Sequence, residues 1–265
     1  MDEVKTINTK ENTKIVTSNS FITAKGLEKL SLKARKMLYI AISQCKKGDK
    51  TFGIYEISIK EFAKIMNITP EAVYSEANHI TNELISGVLY IPQQEHGLSI
   101  SSICEYDSGI FRFNLNSDMA TFLLELKSNF SRSLLKDFMK MKSPYSIAIW
   151  HLMQREMHSH KQKTTKFDLV LNELREVTGT QEKFKKLSDI KRFVFDKALR
   201  EIHENCGVTV TYENIKRSRT VVGFRCSIMM KERYLKGLRT ETNKKNYKND
   251  KDKYRMENNV TGEKN

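Results

Sequence analysis

An eleven-residue pattern occurs twice at a constant offset of 112 residues, and it limits the possible folds more than any other feature of the chain. Ile57-Ser-Ile-Lys-Glu-Phe-Ala-Lys-Ile-Met-Asn67 aligns with Leu169-Val-Leu-Asn-Glu-Leu-Arg-Glu-Val-Thr-Gly179. Ile57/Leu169, Ile59/Leu171, Phe62/Leu174 and Ile65/Val177 are apolar in both copies, and Glu61 matches Glu173. Asn67 and Gly179 close the two copies. These residue types best tolerate the left-handed conformation that ends a short helix.

The surroundings of each copy agree as well. Amphipathic helices are expected upstream, at Ser31–Cys45 and Ser143–Met157, and longer helices downstream, at Pro70–Ser86 and Ser188–Asn205. Each long helix is followed by Gly-Val (Gly87-Val88, Gly207-Val208) and then by β-rich runs. The first runs are Val88–Ile91 and Leu98–Glu105, continuing to Ile110–Asn114. The second are Val208–Tyr212 and Thr220–Ile228, joined by a polar turn, Glu213–Arg219. Helix, short strand, short helix, turn, longer helix and hairpin form the order of a winged helix. The expected fold is therefore α+β: two tandem winged-helix domains related by an internal pseudo-repeat, with disordered polar tails. The expected division is a disordered arm at 1–20, a first winged helix at 21–127, a second at 128–230 and a basic tail at 231–265. The tail holds 11 Lys/Arg and 6 Asp/Glu with almost no apolar residue, too little to order itself.

Charge narrows the function. The chain carries 46 Lys plus Arg against 32 Asp plus Glu, a formal net charge of +14, which suggests an anionic partner, with nucleic acid first. On a wheel of the second long helix, Leu187, Ile190, Val194, Phe195, Ala198 and Ile202 gather on one side, opposite Lys185, Arg192, Asp196, Arg200 and His203. Groove contacts come mostly from the first turns of such a helix, which selects Lys185, Lys186, Ser188, Lys191 and Arg192. Arg192 suits a bidentate pair with guanine and the lysines suit phosphate. Phe193 falls off the apolar face, either touching a thymine methyl or packing on a neighbouring helix. The following hairpin adds Lys216, Arg217, Arg219 and Arg225, with no acid between Ile215 and Arg225. The bland alternatives are a solvated helix face and an edge hairpin kept soluble by charge.

The first long helix carries Glu71, Glu76 and Glu83 with no Lys or Arg, so base reading falls to the second domain. The first is expected to make protein contacts through its apolar strands, or to touch DNA from a basic flank at Lys29, Lys33, Arg35 and Lys36. That flank could equally be the wet side of its helix. Cys45, Cys104, Cys206 and Cys226 form no C-x-x-C pair and read as small buried hydrophobes of a reducing compartment. No run of eighteen apolar residues and no apolar leader is present, so a cytoplasmic protein off the membrane is expected.

Asp189–Ile202 (DIKRFVFDKALREI), continuing to VTVTYE, resembles the second winged helix of the initiator proteins of theta-replicating, iteron-containing plasmids. Ser143–Glu156, Phe167–Gly179 and Leu126–Leu135 are similar to their family counterparts. Two departures are Phe195, where the family pattern has an aliphatic residue, and Cys206-Gly207, which replaces a polar pair. The resemblance implies binding to origin repeats in double-stranded DNA, melting of adjacent AT-rich DNA and recruitment of host helicase and polymerase. It also implies monomers on the origin and homodimers, formed through the first domain, that repress the initiator's own gene. A winged-helix transcriptional regulator shares all the physics above. A rolling-circle nuclease would need a metal-binding His-x-His and a Tyr-x-x-x-Lys motif. His158-Ser159-His160 and Tyr212–Lys216 match as strings, but the tyrosine falls in a β-rich run and the histidines enclose Ser at a helix end. No phosphate-cradling G-x-x-x-x-G-K string occurs. Neither enzymatic activity, nor a cofactor, nor a metal is expected.

Overall fold

In the computed structural model, which describes residues 4–7, 9, 13–46, 48–124, 126, 129–157 and 164–232, elements follow the expected order twice. The chain opens with strands β1 (Val4–Thr6) and β2 (Lys14–Ser18) and helices α1 (Asn19–Ile22) and α2 (Leu32–Ile42). Strand β3 (Ile54–Ser58) runs into α3 (Ile59–Met66), then α4 (Glu71–Tyr74) and α5 (Ala77–Ser86). Strands β4 (Val88–Leu89), β5 (Leu98–Ser99), β6 (Cys104–Asp107) and β7 (Ile110–Phe113) and helix α6 (Ala120–Leu123) follow. The second half consists of β8 (Phe130–Leu134), α7 (Leu135–Lys140), α8 (Pro144–Glu156), β9 (Thr164–Val170) and α9 (Leu171–Thr178). A continuous helix over 187–205 then leads into β10 (Val208–Arg217) and β11 (Thr220–Met230).

The repeated pattern folds identically in its two settings. Helices α3 and α9 begin and end 112 residues apart. Ile57, Ile59 and Phe62 in one copy, and Leu169 and Leu174 in the other, are buried. Asn67 (φ 53°) and Gly179 (φ 63°) take the left-handed conformation that stops each helix. Ser58 caps α3 by accepting the Glu61 N–H at 3.1 Å, whereas Val170 at the matching place offers no such oxygen. In each unit the strand before the short helix pairs with the second strand of the hairpin, giving sheet orders β3-β7-β6 and β9-β11-β10. That shared order makes both units winged helices, and β1 adds a parallel strand beside β3 in the first.

The arm expected to be disordered over 1–20 contributes structure instead. Lys14–Ser18 forms five antiparallel pairs with Phe130–Leu134, and Ile7 and Ile15 are buried. Alternation of Ile15 and Thr17 with exposed-side neighbours is too short to stand out among polar residues. The ladder also crosses the division expected at 127, and one hydrophobic core runs through both units. Helix α8, with Ile147, Ile149, Trp150, Leu152 and Met153 buried, touches α1 and β8 on one side and α9 and the 187–205 helix on the other.

Other expectations change in detail. The helix over Pro70–Ser86 is interrupted at Ser75-Glu76, where Glu76 (φ −118°, ψ 4°) pairs with Lys33 at 2.7 Å. Of the strands expected at Val88–Ile91 and Leu98–Glu105, only two residues of each pair with one another. Tyr90 instead exchanges both backbone bonds with Lys25, at 3.0 and 2.8 Å, so β6–β7 is the first wing. The turn expected over Glu213–Arg219 is strand up to Arg217, closed by Ser218-Arg219 alone. The tail beyond residue 232 and the His158-Ser159-His160 string lie outside the described residues.

Candidate nucleic-acid interface

Helix α9, its turn and the helix over 187–205 make a helix-turn-helix whose turn is held by one side chain. The Arg175 guanidinium donates to the carbonyls of Thr180 (2.9 Å), Lys183 (3.1 Å), Phe184 (3.0 Å) and Lys185 (3.4 Å). Phe184 sits at φ 51°, uncommon for a bulky residue, and Arg175 secures it there. Arg175 escaped sequence reasoning because its partner in the repeat is Ala63. Only its place in the last turn of a short helix hints at carbonyls nearby.

The long helix begins as α10 (Leu187–Asp189), passes through a π-helical segment (Ile190–Phe195) and continues as α11 (Asp196–Asn205). The Asp196 N–H bonds the Lys191 carbonyl five residues back, a wide turn of the kind found often at functional sites. Ile190, Val194, Phe195, Ala198 and Ile202 are buried as the wheel requires, and Leu187 is half-buried. Lys185, Lys186, Ser188, Arg192 and Arg200 are exposed. Lys185 is drawn onto Glu182 at 2.5 Å, and Ser188 Oγ lies 3.4 Å from Asp189 Oδ1. The Arg192 guanidinium rests 5.1 Å above the Phe193 ring. Lys191 turns toward the wing, its ammonium 5.2 Å above the Tyr212 ring and 3.5 Å from Asn214 Oδ1. It thus helps join helix and hairpin, beside the Tyr212–Asp196 hydrogen bond.

The wing carries Lys216, Arg217 and Arg219 exposed around its two-residue turn, where Ser218 has φ 55°. The register slips between Ile215 and Lys216, leaving Val222 as an extra residue on β11, a bulge that bends the ribbon. Arg225 does not belong to the free charge. It bonds Asp168 across the sheet at 3.0 and 3.3 Å and lies 3.6 Å from Glu213. Among the described residues, Lys186, Arg192, Arg200, Lys216, Arg217 and Arg219 have no carboxylate partner.

Tyr212 donates to Asp196 Oδ1 at 2.6 Å, with its ring against Phe195 and Phe224. Burial and the Asp196 carboxylate raise its pKa, the reverse of what activates a phenolic nucleophile. Of the basic flank expected on the first unit, Lys29 is exposed, but the other three cations are engaged by the fold. Arg35 and Lys36 are buried, Arg35 donating to the carbonyls of Leu27 and Pro144 and Lys36 to that of Met139 at 2.8 Å. Lys33 is engaged by Ala72 O (2.6 Å) and Glu76. Glu83 in turn accepts the Ser31 N–H at 3.2 Å, so two of the three acids of the first long helix serve the fold.

Two family models match this chain. One, described as initiator replication protein, WH1, covers residues 14–154, and the other, initiator Rep protein, WH2, covers residues 170–228. The chain belongs to the initiator replication protein family. The first match runs past residue 127 into helix α8, in keeping with the β2–β8 ladder. Among solved structures, the Pi initiator protein in complex with iteron DNA aligns with 84% of this initiator and 100% of its own chain, at a TM-score of 0.73 and 18% identity. At that identity the likeness is one of fold. No curated protein sequence matches this initiator. Among the described residues no helix is long and apolar enough to cross a membrane.

Proposed function

We propose that this initiator binds repeated sequences (iterons) in double-stranded origin DNA through its second winged helix and so starts theta-type plasmid replication. The observation that supports the reading is a WH2 unit in which both the long helix and the hairpin carry exposed cations without a carboxylate partner among the described residues: Lys186, Arg192 and Arg200 on the first, and Lys216, Arg217 and Arg219 on the second. The Pi initiator protein, of the same fold, was solved with iteron DNA. Lys185, Ser188 and Lys191 complete the set of proposed contacts. Lys185 must leave Glu182 to reach phosphate, an exchange with little cost because both groups are exposed.

The initiator acts by binding and not by cleaving DNA, since the hydroxyl of Tyr212 is committed to Asp196. It works in the cytoplasm, recruits host helicase and polymerase, and forms homodimers that repress its own gene. DNase footprinting on the parent replicon tests the reading. Protection of several direct repeats beside an AT-rich tract is expected, whereas protection of a single inverted repeat alone would make the protein a transcriptional regulator.

A further inference from the structure

One side chain on the DNA-facing helix is neither core nor cation. Phe193 is 45% exposed, the only large apolar side chain so displayed among the described residues of the 187–205 helix. Exposed Lys186, Arg192, Lys197 and Arg200 flank it along the chain, so it is the apolar member of a cationic stretch. A solvent-exposed phenylalanine among lysines gains nothing from water, and two neighbours hold it in place. The Phe184 ring stacks on it at 5.8 Å with an interplanar angle of 26°, and the Arg192 guanidinium covers it at 5.1 Å. Phe184 is itself fixed by the Arg175 bond to its carbonyl, at 3.0 Å. The exposed ring is therefore presented by a rigid support: turn, Arg175, Phe184, Phe193.

We propose that Phe193 is a specificity-determining residue that reads the C5-methyl group of a thymine in the major groove, with Phe184 as its positioning residue. The proposal rests on the reading above, in which this helix enters the groove of a repeat. Phosphate contacts carry no sequence information, and Arg192 reads guanine through polar atoms. An apolar probe beside them detects what those cannot, since thymine alone among the four bases offers a methyl group there. The π-helical segment that contains Phe193 adds a residue to its turn and widens the helix where the ring emerges.

The test uses the full-length chain and a duplex bearing one direct repeat of the parent origin, with each thymine replaced in turn by deoxyuridine, which lacks only the methyl. Wild-type protein should lose affinity at one position by on the order of fourfold, the value of one buried methyl. Phe193→Ala should bind the unmodified repeat correspondingly less well and lose all sensitivity at that position. Phe193→Leu, which keeps an apolar probe, should retain part of it. Equal deoxyuridine effects in wild type and Phe193→Ala at every position would overturn the proposal while leaving repeat binding intact. Failure of wild-type protein to prefer the repeat over random duplex would instead remove the reading it rests on, and the proposal with it. Loss of binding by Phe193→Ala to repeat and random duplexes alike, with the deoxyuridine pattern unchanged, would assign the ring to packing and also overturn it.

Discussion

Arg192 and Lys186 are six residues apart yet should fail in different ways when removed. Arg192 has the planar donor fork that matches two acceptors on guanine, and its guanidinium rests over an aromatic face. Arg192→Ala should cost about 1–3 kcal/mol of repeat binding and relax selectivity at one base pair. Lys186, exposed at the start of the helix, is a point charge suited to phosphate. Lys186→Ala should weaken repeat and random duplexes by the same factor, as band shifts on both will show. Wild-type binding of both duplexes by Arg192→Ala would remove it from the interface. Arg192 was legible in the sequence because periodicity placed it opposite an apolar stripe, and Lys186 because it falls where the helix begins. Arg35 and Lys36 were not, for a physical reason. Their partners are the carbonyls of Leu27, Pro144 and Met139, and no local pattern announces that a distant backbone oxygen will meet a cation.

Among the elements, the short strands and helices of the repeat could be read in advance because each needs the same few residues: two apolar positions to bury and a left-handed stop. The wing could not be bounded the same way. Residues Glu213 to Arg217 look like a turn because they are polar, but a two-stranded ribbon projecting into water has two wet faces and so no apolar alternation. The helix-turn-helix turn was also hidden, since Arg175, which holds it, replaces an alanine of the other copy. Arg175→Ala abandons four carbonyl bonds from a charged donor and should destabilise the second unit by roughly 2 kcal/mol. Urea unfolding measures that loss. Hydrogen exchange should show faster opening at residues 180–190 than in β10 and β11, and uniform acceleration everywhere would mean that Arg175 does not act through the turn.

At the scale of the whole molecule, the two winged helices share one interior rather than meeting at a loose joint. His151 of α8 lies buried in that interior, with Nδ1 3.0 Å from the Tyr39 hydroxyl of α2 and Nε2 3.2 Å from Thr17 Oγ1 of β2. Burial, helped by the nearby Arg35 charge, lowers its pKa to about 3. The folded state thus keeps His151 neutral, while the unfolded chain takes up a proton near pH 6.5. Stability should be unaffected by this group above that pH and should fall as pH drops from about 6.5 toward 3. The loss between pH 7 and 5 amounts to about 2 kcal/mol. Comparing urea midpoints of wild type and His151→Gln at both pH values isolates the effect, and an equal pH response in the two proteins would show that His151 is not the group responsible.

The central claim, that the basic face of helix and wing meets DNA, is tested most directly by a salt titration of the full-length chain on a repeat-bearing duplex. With Arg192 reserved for guanine, Lys186, Arg200, Lys216, Arg217, Arg219 and a released Lys185 remain, and if each of these cations meets a phosphate the log–log slope should lie near −5, with affinity falling about 10³-fold between 50 and 200 mM salt. Specific binding that stays nearly constant over that range would contradict the account.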